Sequence, residues 1–141
     1  MTRVWVVDPG PHVGCAYWSD DPAMLETEEL TPEVLLANAE TQIRDWADMV
    51  VVESFRIGGS RAREANVTIE QIGVLRYLAS RYGREFVEQT AADARAFSTN
   101  EKLRALGFWR RGDSDHARSA ARHLCLYLAR TGLVGAQQLR G

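Results

Sequence analysis

Arg3-Val4-Trp5-Val6-Val7-Asp8, followed by Pro9-Gly10, and Met49-Val50-Val51-Val52-Glu53, followed by Ser54-Phe55 and the loop Ile57-Gly58-Gly59-Ser60, decide the reading of this chain. Each is a short apolar run rich in β-branched residues, each ends on a carboxylate, and each is closed by turn-forming residues, so both read as strands. Their apolar residues are consecutive rather than alternating, which implies burial on both faces, as in the parallel part of an α/β sheet. If the two strands lie side by side, Asp8 and Glu53 reach the same sheet edge, and strand ends are where α/β sheets place their sites. Glu53 is the stronger signal, because a carboxylate that continues a Val-Val-Val run is costly to bury unless paired or metal-bound. An Asp before Pro-Gly also has an ordinary use as a turn former.

Working outward, Val13 to Trp18 and, more weakly, Ala23 to Leu30 read as strands that complete an antiparallel meander with the first. Thr31-Pro32-Glu33 supplies an N-cap, a proline at the first helical position and an acidic first turn, which predicts a helix to about Trp46. A long helix follows from about Arg63 to Tyr82, with Val67, Ile72, Leu75, Leu78 and Ala79 as its apolar positions and Gly83 as its stop. Phe86-Val87 marks a fifth strand, and Ala91 to Phe97 and Asn100 to Leu106 two short helices, the second capped by Asn100. The last helix opens near Ser114-Asp115 and runs to about Arg130 on a core stripe of Ala117, Ala121, Leu124 and Leu128. The expected fold is α/β: a mixed five-stranded sheet, three antiparallel strands then parallel ones, flanked by helices. One domain over residues 1–131 and a flexible tail over 132–141 are expected.

A length of 141 residues suits one domain with its own core and disfavours two. No apolar run approaches the roughly 20 residues of a membrane span, and the N-terminus lacks a signal-peptide plan, so a soluble, unprocessed protein is expected. Cys15 and Cys125 lie far apart with no zinc-type spacing, which fits reduced thiols in a cytoplasm better than a disulfide scaffold. The net charge of -2 hides a segregation: residues 1–54 hold 11 acidic and 2 basic side chains, while residues 55–141 hold 15 basic and 8 acidic. A basic half of this kind suits phosphate contacts. Arg56, Arg61, Arg63, Arg110 and Arg111 are the candidate DNA contacts, with Trp109 a candidate to stack on an opened base or to anchor packing.

A third contribution to the Asp8–Glu53 edge is expected from the start of the last helix, where Asp113, Asp115 and His116 cluster. Oxygen-rich groups without a cysteine suit a hard cation, Mg²⁺ or Mn²⁺. Two such ions, about 3.5 to 4 Å apart, serve phosphodiester hydrolysis by activating water and stabilising the leaving oxygen. Asp113 and Asp115 also read as helix N-caps. At about 100° per residue, His116, Ser119 and His123 share one face of this helix, rotated away from the core stripe.

Three segments together, Val-Val-Asp-Pro-Gly at 6–10, Val-Val-Val-Glu-Ser-Phe at 50–55 and Asp-His-Ala-Arg-Ser-Ala-Ala-Arg-His-Leu at 115–124, resemble the RuvC-like Holliday junction resolvases of the ribonuclease H-like superfamily, particularly the small actinobacteriophage versions. Ile72-Gly73-Val74-Leu75 and Leu103-Arg104-Ala105-Leu106-Gly107 extend the similarity over nearly the whole chain. The resemblance implies a ribonuclease H-like fold, a homodimer, and cleavage of four-way DNA junctions with Mg²⁺ or Mn²⁺ in a two-metal site, in the host cytoplasm for a phage-encoded member. It implies metal-ligand and catalytic roles for Asp8, Glu53 and His116, with Asp115 beside them. The family pattern carries an Asp three residues after the position of His116, where this chain has Ser119, so Ser119 is a weaker candidate ligand. The implied function is a metal-dependent junction-resolving endodeoxyribonuclease. The alternative, motivated by Ser119, is a junction-binding protein of the same fold with weak or no cleavage. A sugar-kinase or actin-like ATPase begins with a similar strand and Asp, but needs two such domains, which the length disfavours.

Overall fold

The computed structural model describes residues 1–55 and 62–140, and for residues 62–64 the backbone alone. Five strands, β1 (Arg3–Asp8), β2 (Val13–Asp20), β3 (Ala23–Leu30), β4 (Met49–Glu53) and β5 (Glu85–Gln89), form one sheet in the order β3-β2-β1-β4-β5. β1–β2 and β2–β3 are antiparallel pairs, while β1–β4 and β4–β5 are parallel. The helices are α1 (Pro32–Asp45), α2 (Ala62–Arg81), α3 (Ala91–Phe97), α4 (Asn100–Ala105) and α5 (Asp115–Arg130). This is the mixed sheet expected from the sequence.

Alternate residues of the two central strands feed two cores, which is why their apolar runs are unbroken. Trp5, Val7, Val50 and Val52 join Leu35, Ala39 and Ile43 of α1 and Ile72, Leu75 and Ala79 of α2. Val4, Val6 and Val51 point the other way, onto Leu103, Phe108 and the Ala120, Leu124 and Leu128 face of α5. Among the described residues, no helix is long and apolar enough to cross a membrane.

One expectation changes. The cap of α4 is Thr99, whose hydroxyl accepts from the Lys102 N–H at 3.3 Å, while Asn100 instead accepts from Arg122 Nη2 at 2.7 Å. The segment after residue 131 is packed in part: Val134 is buried, Leu133 and Leu139 lie against the α5 core, and Gln138–Arg140 forms a short 3₁₀ turn. Ile72 and Leu75 of the apolar stripe of α2 are buried on the protein's own sheet, with Leu78 packed against the same core. The hydrophobic residues that α2 exposes are Ile69 and Tyr77, two turns apart with Gly73 between them.

The start of α5 is set by Gly14 on β2. A Cβ there would lie 1.9 Å from the carbonyl oxygen of His116 and 2.4 Å from its carbonyl carbon, so only glycine lets the first turn of α5 approach the strand. Because the obstructing atoms are backbone, Gly14→Ala is expected to lower stability by about 3 kcal/mol, at the upper end of the usual cost of overpacking. A urea midpoint equal to that of the wild type would show that α5 does not sit this close to β2.

Candidate metal and phosphodiester site

Asp8 and Glu53 are brought together by strand register. Val4, Trp5, Val6 and Val7 pair in step with Met49, Val50, Val51 and Val52, so the next residues of the two parallel strands are the two acids. Asp8 is buried at 7% exposure, and each of the two carboxyl groups shifts the pKa of the other. The turn beyond Asp8 is fixed by α2: the Gly10 N–H donates to Gln71 Oε1 and Gln71 Nε2 donates to the Gly10 carbonyl, each at 2.9 Å, with Gln71 only 1% exposed. A side-chain amide that accepts from the N–H and donates to the carbonyl of one residue leaves the turn one orientation.

α5 supplies the third wall. Ser119 faces Asp8 and acts to lower its pKa. His116 Nδ1 lies 4.0 Å from Asp8 Oδ2, and its half-exposed ring stacks on His12 with centroids 5.4 Å apart. Asp115 is exposed and makes no contact with this group. Asp113 is turned toward β3, where its Oδ1 accepts from the Thr27 hydroxyl at 2.7 Å. The structure therefore gathers Asp8, Glu53, Ser119 and, at the mouth, His116, and leaves Asp115 and Asp113 outside.

Burial raises the pKa of Asp8 well above the carboxylate range, and the hydrogen bond and charge of Glu53 push it further, while Ser119 pulls the other way. Glu53 is half-buried, which acts to raise its pKa, but hydrogen bonding with His123 and Asp8, with the charge of Arg95, brings it below its ordinary value. The pair thus shares one proton, held on Asp8.

Two residues that sequence reasoning left out of the site complete it. His123 is fully buried one turn beyond Ser119, and its Nε2 lies 3.0 Å from Glu53 Oε1. Gln89, at the end of β5 and paired with Glu53 in register, places its Nε2 2.9 Å from the His123 carbonyl oxygen and 3.2 Å from His123 Nδ1. Asp8, Glu53 and Gln89 are thus the polar ends of three adjacent parallel strands. The signal for Gln89 was a polar residue closing the strand at 85–89, and for His123 its place on the Ser119 face.

Of the candidate DNA contacts, Arg56 and Arg61 lie outside the described residues, as does the side chain of Arg63. Arg110 and Arg111 are exposed, with Arg110 Nη1 donating to the Leu25 carbonyl at 3.1 Å. Trp109 packs against the α5 core and carries the guanidinium of Arg118 at 3.8 Å and that of Arg104 at 4.5 Å from its ring centroid, so it is a packing anchor rather than a free stacking platform. A groove of about 430 Å³ between α1 and the β2–β3 hairpin, lined by Trp5, Tyr17, Glu26, Glu28 and Trp46 among others, holds neither Asp8 nor Glu53.

The donor set suits a single hard cation. Mg²⁺ typically uses one or two carboxylates and keeps several waters, and a buried carboxylate pair that shares a proton gains from exchanging it for such an ion. Among the described residues, no three His, Cys, Asp or Glu side chains are gathered to hold an ion. Two carboxylates with a neighbouring hydroxyl are what the site offers.

No protein-family model matches the sequence, and no curated protein matches it. Solved structures do. RuvC of T. thermophilus in complex with a Holliday junction substrate superimposes with a TM-score of 0.69 at 15% identity, covering 94% of this chain and 97% of that one. The Thermus thermophilus RuvC structure gives 0.60 at 14% identity, with 93% and 97% covered. The fowlpox virus Holliday junction resolvase gives 0.52 at 10% identity, with 94% and 100% covered. With the strand order and the antiparallel-then-parallel pairing, these likenesses identify a ribonuclease H-like fold of the RuvC type, spanning nearly the whole chain.

Proposed function

We propose that the protein is a metal-dependent, structure-specific endodeoxyribonuclease that resolves four-way junctions and other branched DNA by phosphodiester hydrolysis. The observation that carries this reading is the buried Asp8–Glu53 pair, at the adjacent ends of β1 and β4 and under the first turns of α5, in a fold shared with a RuvC that has been solved on a Holliday junction substrate. Asp8 and Glu53 would hold Mg²⁺ or Mn²⁺, with the Ser119 hydroxyl beside Asp8. Such an ion, when bound, polarises a phosphodiester oxygen and lowers the pKa of water. Among the described residues, a second ion of a two-metal site would draw on the exposed His116 and Asp115, so the second ion is expected to arrive with the DNA phosphate.

His116, exposed beside Asp8, is positioned to hold or deliver a proton at the mouth of the site. Arg110 and Arg111, with Arg56, Arg61 and Arg63, supply the cations that would meet phosphates, which makes binding salt-sensitive. Because resolution needs two symmetric nicks, the working unit is a homodimer, and the exposed Ile69–Gly73–Tyr77 row of α2 is the face offered for it. The two buried, unpaired thiols, Cys15 and Cys125, suit a reducing cytoplasm.

A second reading has one specific observation in its favour: Ser119 stands where a third carboxylate would complete the donor set. In that reading the protein binds junctions and cleaves them weakly or not at all. Purified protein incubated with labelled four-way junction or linear duplex, in Mg²⁺, Mn²⁺ or EDTA, separates the two. Paired nicks in the junction with either metal and none in EDTA are expected. Retained junction-selective binding without nicks in any metal would support the binder, and light scattering that shows only monomer would remove the dimer.

A further inference from the structure

Gln89 and His123 form a chain of hydrogen bonds that ends on Glu53 and that the proposed reaction leaves unused. The direction of this chain follows from one atom. The carbonyl oxygen of His123 accepts only, so the Gln89 atom 2.9 Å from it is the amide nitrogen, Nε2. That same NH₂ group lies 3.2 Å from His123 Nδ1, so Nδ1 is the accepting nitrogen and the ring proton sits on Nε2. Nε2 then donates to Glu53 Oε1 at 3.0 Å. His123 is wholly buried and Gln89 is 2% exposed, so neither side chain has water as an alternative partner.

The fold gives this chain an anchor at each end. Gln89 is the register partner of Glu53 on β5, and His123 lies on α5 one turn beyond Ser119. Glu53 is therefore gripped from its own sheet and from the helix that carries Ser119. An oxygen that accepts from a buried imidazole is turned inward, which leaves the other carboxylate oxygen as the one presented to a cation. With two carboxylates among the described residues and no third charged group gathered there, the site depends on such orientation to hold an ion in place.

We propose that His123, held by Gln89, is a positioning residue that fixes one rotamer of Glu53 for metal binding and so offsets the missing carboxylate at position 119. The inference rests on the metal-site reading above. Outer partners that orient a ligand typically contribute tenfold to a hundredfold in metal affinity.

The test is titration of the metal-free full chain with Mn²⁺, followed by electron paramagnetic resonance, in the wild type and in His123→Leu, His123→Gln, Gln89→Met and Asp8→Asn. His123→Leu is expected to weaken Mn²⁺ about tenfold or more. His123→Gln, whose amide reaches Glu53 as a donor, should restore affinity to within about threefold of the wild type, and Gln89→Met should weaken it with Glu53 and His123 both present. Equal affinity in wild type and His123→Leu, with loss in Asp8→Asn, overturns the positioning role and leaves the metal site standing. Unchanged affinity in Asp8→Asn shows that the metal-site reading itself has failed. A ¹⁴N coupling to bound Mn²⁺ that is lost in His123→Gln would make His123 a direct ligand and also overturn the proposal. Should His123→Leu not fold, imidazole ¹⁵N spectra of the wild type decide: a proton on Nε2 of His123 that is redistributed in Gln89→Met supports the chain, and a proton on Nδ1 overturns it.

Discussion

Asp8→Asn is expected to reduce metal-dependent junction cleavage by about a thousandfold or more, as befits loss of a charged group at an electrostatically driven centre. Junction affinity should stay within about threefold, because nucleic-acid affinity is dominated by contacts of basic groups with phosphates, which this buried acid cannot make. The same substitution has a second, opposite effect on the metal-free protein. Burial, and then Glu53, raise the pKa of Asp8 in the folded state above its unfolded value, so the fold favours the protonated form. The stability this contributes is fully present below the unfolded aspartate value, about 4, and is lost as pH rises through the raised folded value. Glu53 has the opposite sign: its folded pKa is lowered, so its contribution is present above the unfolded glutamate value and lost as pH falls through the folded one. In EDTA the wild type should therefore lose melting temperature on the alkaline side of the aspartate range. Asp8→Asn, which retains a donor toward Glu53 and cannot ionise, should lose that limb and keep the acid one. Parallel melting curves for the two proteins across this range would show that the carboxyl pair does not share a proton.

The residues that decided the fold are those whose burial is two-sided. Val4 to Val7 and Val50 to Val52 have one physical use, the centre of a sheet covered on both faces, and their terminal acids then meet by register alone. The apolar stripe of α2 was less legible, because periodicity says which face of a helix is apolar but not what covers it. Ile72 and Leu75 are spent on the intramolecular core, and the exposed Ile69 and Tyr77 sit off the stripe. The same limit applies at the start of α5. Three acids and hydroxyls in a row, Asp113, Ser114 and Asp115, are interchangeable as text, and only the loop geometry assigns Ser114 to the cap, Asp113 to Thr27 and Asp115 to solvent. Gln89 carries no charge to draw notice, and helical spacing puts His123 on the Ser119 face without saying which partners it meets. Their role depends on a contact between β5, α5 and β4 that no local pattern encodes.

Ser119→Asp is expected to strengthen Mn²⁺ binding by at least about tenfold and to raise the rate of Mg²⁺-dependent cleavage, since each added charged oxygen ligand shifts the affinity of such sites by large factors. The position supports this. Ser119 is half-buried one helical turn from His116, and its side chain is near enough to Asp8 to lower its pKa, so a carboxylate there joins the pair without moving α5. Gly14 holds that helix close against β2, which limits how far the new side chain can swing away. The gain should carry a cost that identifies its cause. A third acid beside two buried carboxyls repels them when no cation is bound, so the variant should melt below the wild type in EDTA and above it in saturating Mn²⁺. A merely tolerated surface substitution would move neither. If Ser119→Asp leaves affinity, rate and both melting temperatures unchanged while Asp115→Ala destroys binding, then Asp115 is the working ligand. The first turn of α5 would then have to present its acid to Asp8 and Glu53 from the position where the structure now leaves it in solvent.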